Sequence, residues 1–202
     1  VLNHANALPG GVATAGGTSN LRFGGNGIAG LGTGDFTRAL GTGVDQVQWT
    51  GSGGFAAFNA DRVVNLGGAG ATVTWATGSF VPNGSTLYLG ANSATHTVDF
   101  QNPIDLGSAN RTIDINNSAA AALDAIISGS ISGSGGLTKN GDGTLLLQST
   151  ASSYTGQTNL AVNVTRVTKL ADFGQPSSLG AGTAGVPITM ASAFRPGILE
   201  YV

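Results

Sequence analysis

A chain of 202 residues with 8 Lys and Arg, 10 Asp and Glu and a formal net charge of −2 has no cationic face for neutralising phosphates, which argues against nucleic acid as a partner. Its 41% apolar content is too high for wholesale disorder, and its irregular GG and GxG clusters, 34 glycines with only 6 prolines, are not collagen-like. No cysteine is present, which removes disulfides, thiolate nucleophiles and zinc–thiolate or iron–sulfur sites together.

In chain order, short segments with period-2 alternation predict strands at 47–50, 62–67, 72–78, 85–90, 96–102 and 111–117. Further strands are expected at 126–133, 143–149, 158–170, 186–190 and 197–202. Each is bounded by Gly, Asn, Ser or Asp, and Asn26-Gly27, Asn83-Gly84 and Asn140-Gly141 are the strongest turn signals. The alanine-rich stretch Ser118 to Ile127 reads as a loop leading into a strand, with a helical turn as the lesser alternative. No run of about 18 apolar residues marks a membrane-spanning helix. The absence of an initiator Met and of a signal peptide suggests a mature product or an excised fragment.

Two internal echoes stand out. Thr97-Val98-Asp99-Phe100-Gln101-Asn102 returns fifteen residues later as Thr112-Ile113-Asp114-Ile115-Asn116-Asn117, and Val47-Gln48-Trp49-Thr50-Gly51 is echoed by Val73-Thr74-Trp75-Ala76-Thr77-Gly78. Quasi-repetition of short strands predicts a stacked, quasi-one-dimensional all-β architecture with two or three strands per coil. Periodicity alone leaves two choices open, a parallel β-solenoid and an antiparallel β-sandwich.

The segment Gly133 to Leu160, GSGGLTKNGDGTLLLQSTASSYTGQTNL, resembles the passenger-associated transport repeat of autotransporter passengers and of large surface proteins with autotransporter-associated β-strand repeats. The likeness rests on the GSGGLTK start (Gly133 to Lys139), the G-x-G-T-L-x-L strand (Gly141 to Leu147), the Y-T-G-x-T corner (Tyr154 to Thr158) and the strand after Asn159. Ser177-Ser178-Leu179-Gly180 and Leu199-Glu200-Tyr201 fit the family's continuation. Ala161-Val162-Asn163-Val164-Thr165 departs from its usual Gly-Gly-Thr-Leu turn. Stretches at 31–43, 48–55 and 99–107 are similar to the divergent segments that precede such repeats. The resemblance divides the chain into divergent coils over 1–132 and the transport repeat with its following coil over 133–202, in one continuous solenoid. It implies a right-handed parallel β-helix at the bacterial cell surface or outside the cell, with roles in passenger folding, adhesion or matrix building.

Enzymes of polyuronate breakdown share that fold, and their chemistry needs clustered carboxylates beside Lys, Arg or His. Asp99 and Asp114, at matching places in the echoing strands, would form a paired-carboxylate or calcium site if stacked on one face; two separate solvated positions are the plainer expectation. His4 and His96 lack any motif and are expected at the surface or in turns. The glycine-rich runs at 24–27 and 32–35 are faintly similar to calcium-binding nonapeptide repeats, but a single degenerate copy reads as a loop. No GK[ST] follows any GxG cluster, and no His-Asp pattern activates a Ser or Thr. Asn83, Asn110, Asn116 and Asn163 begin glycosylation sequons that are expected to be chance matches in corners. Trp49, Trp75, Tyr88 and Phe100 would line a sugar-binding strip if they faced outward, whereas at least two are expected in the core or a cap.

No catalytic, cofactor-binding or metal-ligating residue is assigned, and no cofactor is expected. The expectation is a non-catalytic structural module with itself or adjacent repeats as partner, head to tail, and surface glycans as a further possible ligand. A carbohydrate-binding adhesin and, behind it, a polysaccharide lyase or hydrolase are the alternatives.

Overall fold

The computed structural model describes residues 1–4, 7–12, 17–118, 120–190 and 195–202. The chain makes repeated passes through short strands separated by corners. The first pass holds β1 (Leu21–Phe23) and β2 (Gly27–Leu31). The second holds β3 (Val47–Trp49), β4 (Gly53–Ala57) and β5 (Arg62–Val64), and the third β6 (Val73–Thr74), β7 (Thr86–Leu89) and β8 (Val98–Phe100). The fourth contains β9 (Ile104–Asp105), β10 (Arg111–Ile115) and β11 (Ala125–Ile127), and the fifth β12 (Ile131–Ser132), β13 (Leu137–Asn140) and β14 (Leu145–Leu147). Then come β15 (Thr158–Leu160) with β16 (Asn163–Val167), and β17 (Ile188–Thr189) with β18 (Gly197–Tyr201).

Corresponding strands of successive passes pair with one another. One seven-stranded sheet runs β2-β4-β7-β10-β13-β15-β17, a six-stranded sheet runs β5-β8-β11-β14-β16-β18, and smaller sheets join β6-β9-β12 and β1-β3. Every pairing between these strands is parallel. The fold is therefore all-β and parallel, and the antiparallel sandwich left open by periodicity is ruled out. Parallel neighbours need a long return path, and here the return passes through the other sheets.

Register gives the length of each pass. Gly27 faces Gly53, Gly53 faces Leu87, Thr86 faces Thr112 and Arg111 faces Leu137, which are steps of 26, 34, 26 and 26 residues. Leu137 faces Thr158 and Thr158 faces Ile188, steps of 21 and 30. The fifteen-residue echo thus has a different meaning from the one expected. Its two copies, β8 and β10, belong to different sheets, so they are neighbouring faces of the winding path and do not stack on each other.

Alternation sends every second side chain into one shared core. In the six-stranded sheet Val64, Phe100, Ile127, Leu147 and Val167 form one continuous column, all buried. Val73, Ile104 and Ile131 form another in the three-stranded sheet. Where the small sheets meet, aromatic rings fill the interior. Phe23 packs on Trp49 at 4.7 Å, Trp49 on Phe80 at 5.3 Å, Trp75 on Phe80 at 5.6 Å and Phe80 on Phe100 at 6.1 Å between ring centroids. The stretch 118–127 contains no helix among its described residues; it is a loop that enters β11, as the preferred reading expected.

Strands lost to inspection of the sequence are instructive. β4 is buried at all five positions, so its GGFAA shows no alternation. Gly54 is there because a Cβ would overlap the carbonyl of Tyr88 on the next strand. At the C-terminal side, β17 and β18 are the outermost strands of their sheets, and Ile188, Met190, Ile198 and Tyr201 are exposed beside them.

Candidate functional site

Residues of the 133–160 segment act first on the backbone. Lys139 occupies an inward position of β13, in register with the aliphatic Leu87, Ile113 and Leu160, and is fully buried. Its ammonium donates to the carbonyls of Gly141 at 2.9 Å, Gly143 at 2.6 Å and Val162 at 2.5 Å. Three donors thus meet three corner carbonyls that no strand ladder can satisfy. Burial pushes its pKa down to about 8, against the opposing pull of Asp114, Asp124 and Asp142.

The same device recurs without a motif to announce it. Buried Arg38 donates to the carbonyls of Pro9, Gly11 and Ser19. Buried Arg111 donates from Nε to Leu106 O at 2.8 Å and from Nη1 to Asn83 Oδ1 at 2.5 Å, with its guanidinium 5.8 Å from the centre of the Trp75 ring. These cations were not singled out from the sequence. The inward phase of Lys139, two residues after Leu137, was the signal available for one of them.

Tyr154, also buried, hydrogen-bonds Thr158 Oγ1 at 2.8 Å, and burial raises its hydroxyl well above the ordinary tyrosine pKa. A Cβ on Gly135 would overlap the Ala109 carbonyl of the preceding pass, and one on Gly156 would overlap the Gly135–Gly136 backbone. The lysine, tyrosine and glycines that carry the resemblance are all packing and corner devices.

Over the corner that leads from the seven-stranded to the six-stranded sheet lies a polar groove of about 560 Å³. Its walls include Asn92, Asn116, Asn117, Asn140 and the ion-paired Asp142 and Arg195. A second hollow of about 270 Å³ shares Asn117, Asp142 and Arg195 and extends towards Asn163. Asn140 Nδ2 donates to Asp114 Oδ2 at 2.8 Å, and desolvation, partly offset by that bond, raises the Asp114 pKa.

The other sequence candidates disperse. Asp99 lies in the six-stranded sheet in register with Val63 and Ile126, whereas Asp114 lies in the seven-stranded sheet between Tyr88 and Asn140. They make no paired-carboxylate or calcium site. Asp99 instead accepts from Ser128 Oγ at 2.7 Å. His4 is exposed, and His96 is half-buried with Nδ1 2.8 Å from Thr95 Oγ1. Trp49, Trp75 and Phe100 are buried in the core and Tyr88 is half-buried, so these four form no outward-facing strip. In the 32–35 run, Asp35 Oδ1 accepts from Val63 N at 2.8 Å, a strand-edge contact. Asn83 and Asn110 brace neighbouring passes through Arg111 and Gly136 N. Among the described residues no three His, Cys, Asp or Glu side chains gather as metal ligands, and no helix is long and apolar enough to cross a membrane.

A parallel all-β stack, with its buried cations committed to backbone carbonyls, defines the class of protein at the level of fold. The chain is 32% identical over 201 residues to the adhesin BmaC autotransporter of Brucella suis biovar 1 (strain 1330), a match that covers 100% of the chain. The chain spans 4% of the length of that protein. No family model matches, and no solved structure matches.

Proposed function

We propose that the chain is a stretch of right-handed parallel β-solenoid serving as a non-catalytic structural and adhesive module at a bacterial cell surface. The observation that carries this reading is the cyclic strand order, in which every pass pairs in parallel with the one before, together with the likeness to a protein named as an autotransporter adhesin. Residues 1–132 and 133–202 form one continuous winding in this reading, because β10 pairs with β13 and β11 with β14 across that boundary.

Such a module works by extension. Backbone ladders run along its axis, each pass buries the apolar face of the last, and an unpaired outer strand is a template for the next. The exposed Ile188, Ile198 and Tyr201 beside β17 and β18 are covered in this reading by a further winding, from the same polypeptide or a second copy stacked head to tail.

A tandem duplication joined through Val202 and Val1 tests it. A single rod of roughly twice the length, melting above the lone copy, is the expected outcome in solution scattering and calorimetry. Two independently tumbling units with the melting temperature of one would overturn the stacking.

A further inference from the structure

The groove over the corner between the two large sheets is braced by Asn140 and by the Asp142–Arg195 pair, and leaves the amides of Asn92 and Asn117 out of that bracing. We infer that it is a binding site for a neutral, linear oligosaccharide laid along the stacking axis. Its wall residues come from one corner of five successive passes: Asn92 after β7, Asn117 after β10, Asp142 after β13, Asn163 at the start of β16 and Arg195 before β18. Neighbouring strands lie about 4.8 Å apart, so five passes span roughly 19 Å. One step is close to the length of a sugar ring in an extended chain, so the corner offers a repeating polar group about once per ring.

The chemistry of the wall selects the class. Amides present a donor and an acceptor together, which suits the paired hydroxyls of a sugar. Asn92 and Asn117 are exposed and their side chains make no hydrogen bond among the described residues. The charged wall residues Asp142 and Arg195 are paired with each other, so the groove carries no surplus charge for an acidic or basic polymer. An added peptide strand would need an open sheet edge, and along this corner from β7 to β15 there is none, since those strands are paired on both sides.

The test titrates the 202-residue chain with cellotetraose, maltotetraose and chitin tetrasaccharide, followed by calorimetry and amide chemical shifts. At least one is expected to bind, its disaccharide more weakly, with shifts confined to the groove. The double substitution Asn92→Ala and Asn117→Ala removes two exposed amides and is expected to weaken binding at least about tenfold without moving the melting temperature. The site is overturned if no neutral tetrasaccharide binds, if only charged polymers or peptides bind, or if the double variant binds as tightly as the parent. These readouts are separate from the length and melting of the tandem chain, so either proposal can fail alone.

Discussion

The ammonium of Lys139 and the carbonyl oxygen of Val162 stand 2.5 Å apart across the boundary between two passes of the chain. The same nitrogen holds Gly141 and Gly143 of its own pass, so one side chain ties a corner to the corner stacked on it. Replacing it by Met keeps the apolar stem and leaves three carbonyls unsatisfied. Lys139→Met is expected to cost about 3 kcal/mol or more in urea unfolding. Lys139→Arg should not restore it, because a planar guanidinium cannot point three donors as an ammonium does.

The same lysine sets a pH dependence. Its folded pKa of about 8 lies below the ordinary 10.5, so between these values the unfolded chain binds more protons and stability rises with pH. Above pH 10 the buried Tyr154, whose folded pKa is raised from 10.0, works in the opposite sense. A urea midpoint that climbs from about pH 8 to about pH 10 and then falls is expected, and Lys139→Met should flatten the climb.

Two glycine substitutions separate close packing from mere turn propensity. Gly54→Ala drives a Cβ into the Tyr88 carbonyl, which backbone atoms cannot yield to, and is expected to cost several kcal/mol. Gly27→Ala meets only ordinary contacts at 3.8 and 3.9 Å and should be neutral or stabilise by about 0.4–1 kcal/mol. Equal melting temperatures for the two variants would contradict the stacking distance at β4 and β7.

Phe80 touches Trp49, Trp75 and Phe100 and bridges two passes and two faces. Phe80→Ala is expected to cost about 3–5 kcal/mol, read as a lowered denaturant midpoint. Val44→Ala, at a side chain that is 59% exposed, should change it by less than about 0.5 kcal/mol.

Much of the strand content was legible, because half-buried strands such as β10 alternate inward and outward along their whole length. Pairing direction was not, since parallel and antiparallel strands share the same period. The Asp99–Asp114 pairing failed for a related reason. Like strands recur on different faces along the winding path as readily as on the same face of two passes, and only the register, Thr86 to Thr112 and Val98 to Ala125, tells them apart. The groove was less legible still, because its asparagines are spaced by whole passes of unequal length and become neighbours only once those passes stack.

The longest pass, 34 residues from Gly53 to Leu87, keeps the same strand order as the 26-residue passes and places its surplus in the corners on either side of β6, the first of which has residues 67–72 exposed. Rung spacing is thus decoupled from corner length. Foreign sequence spliced between Gly67 and Ala71 would be displayed from the shaft at a fixed height, which makes the chain a scaffold whose outward text can be rewritten while its axial scale is kept.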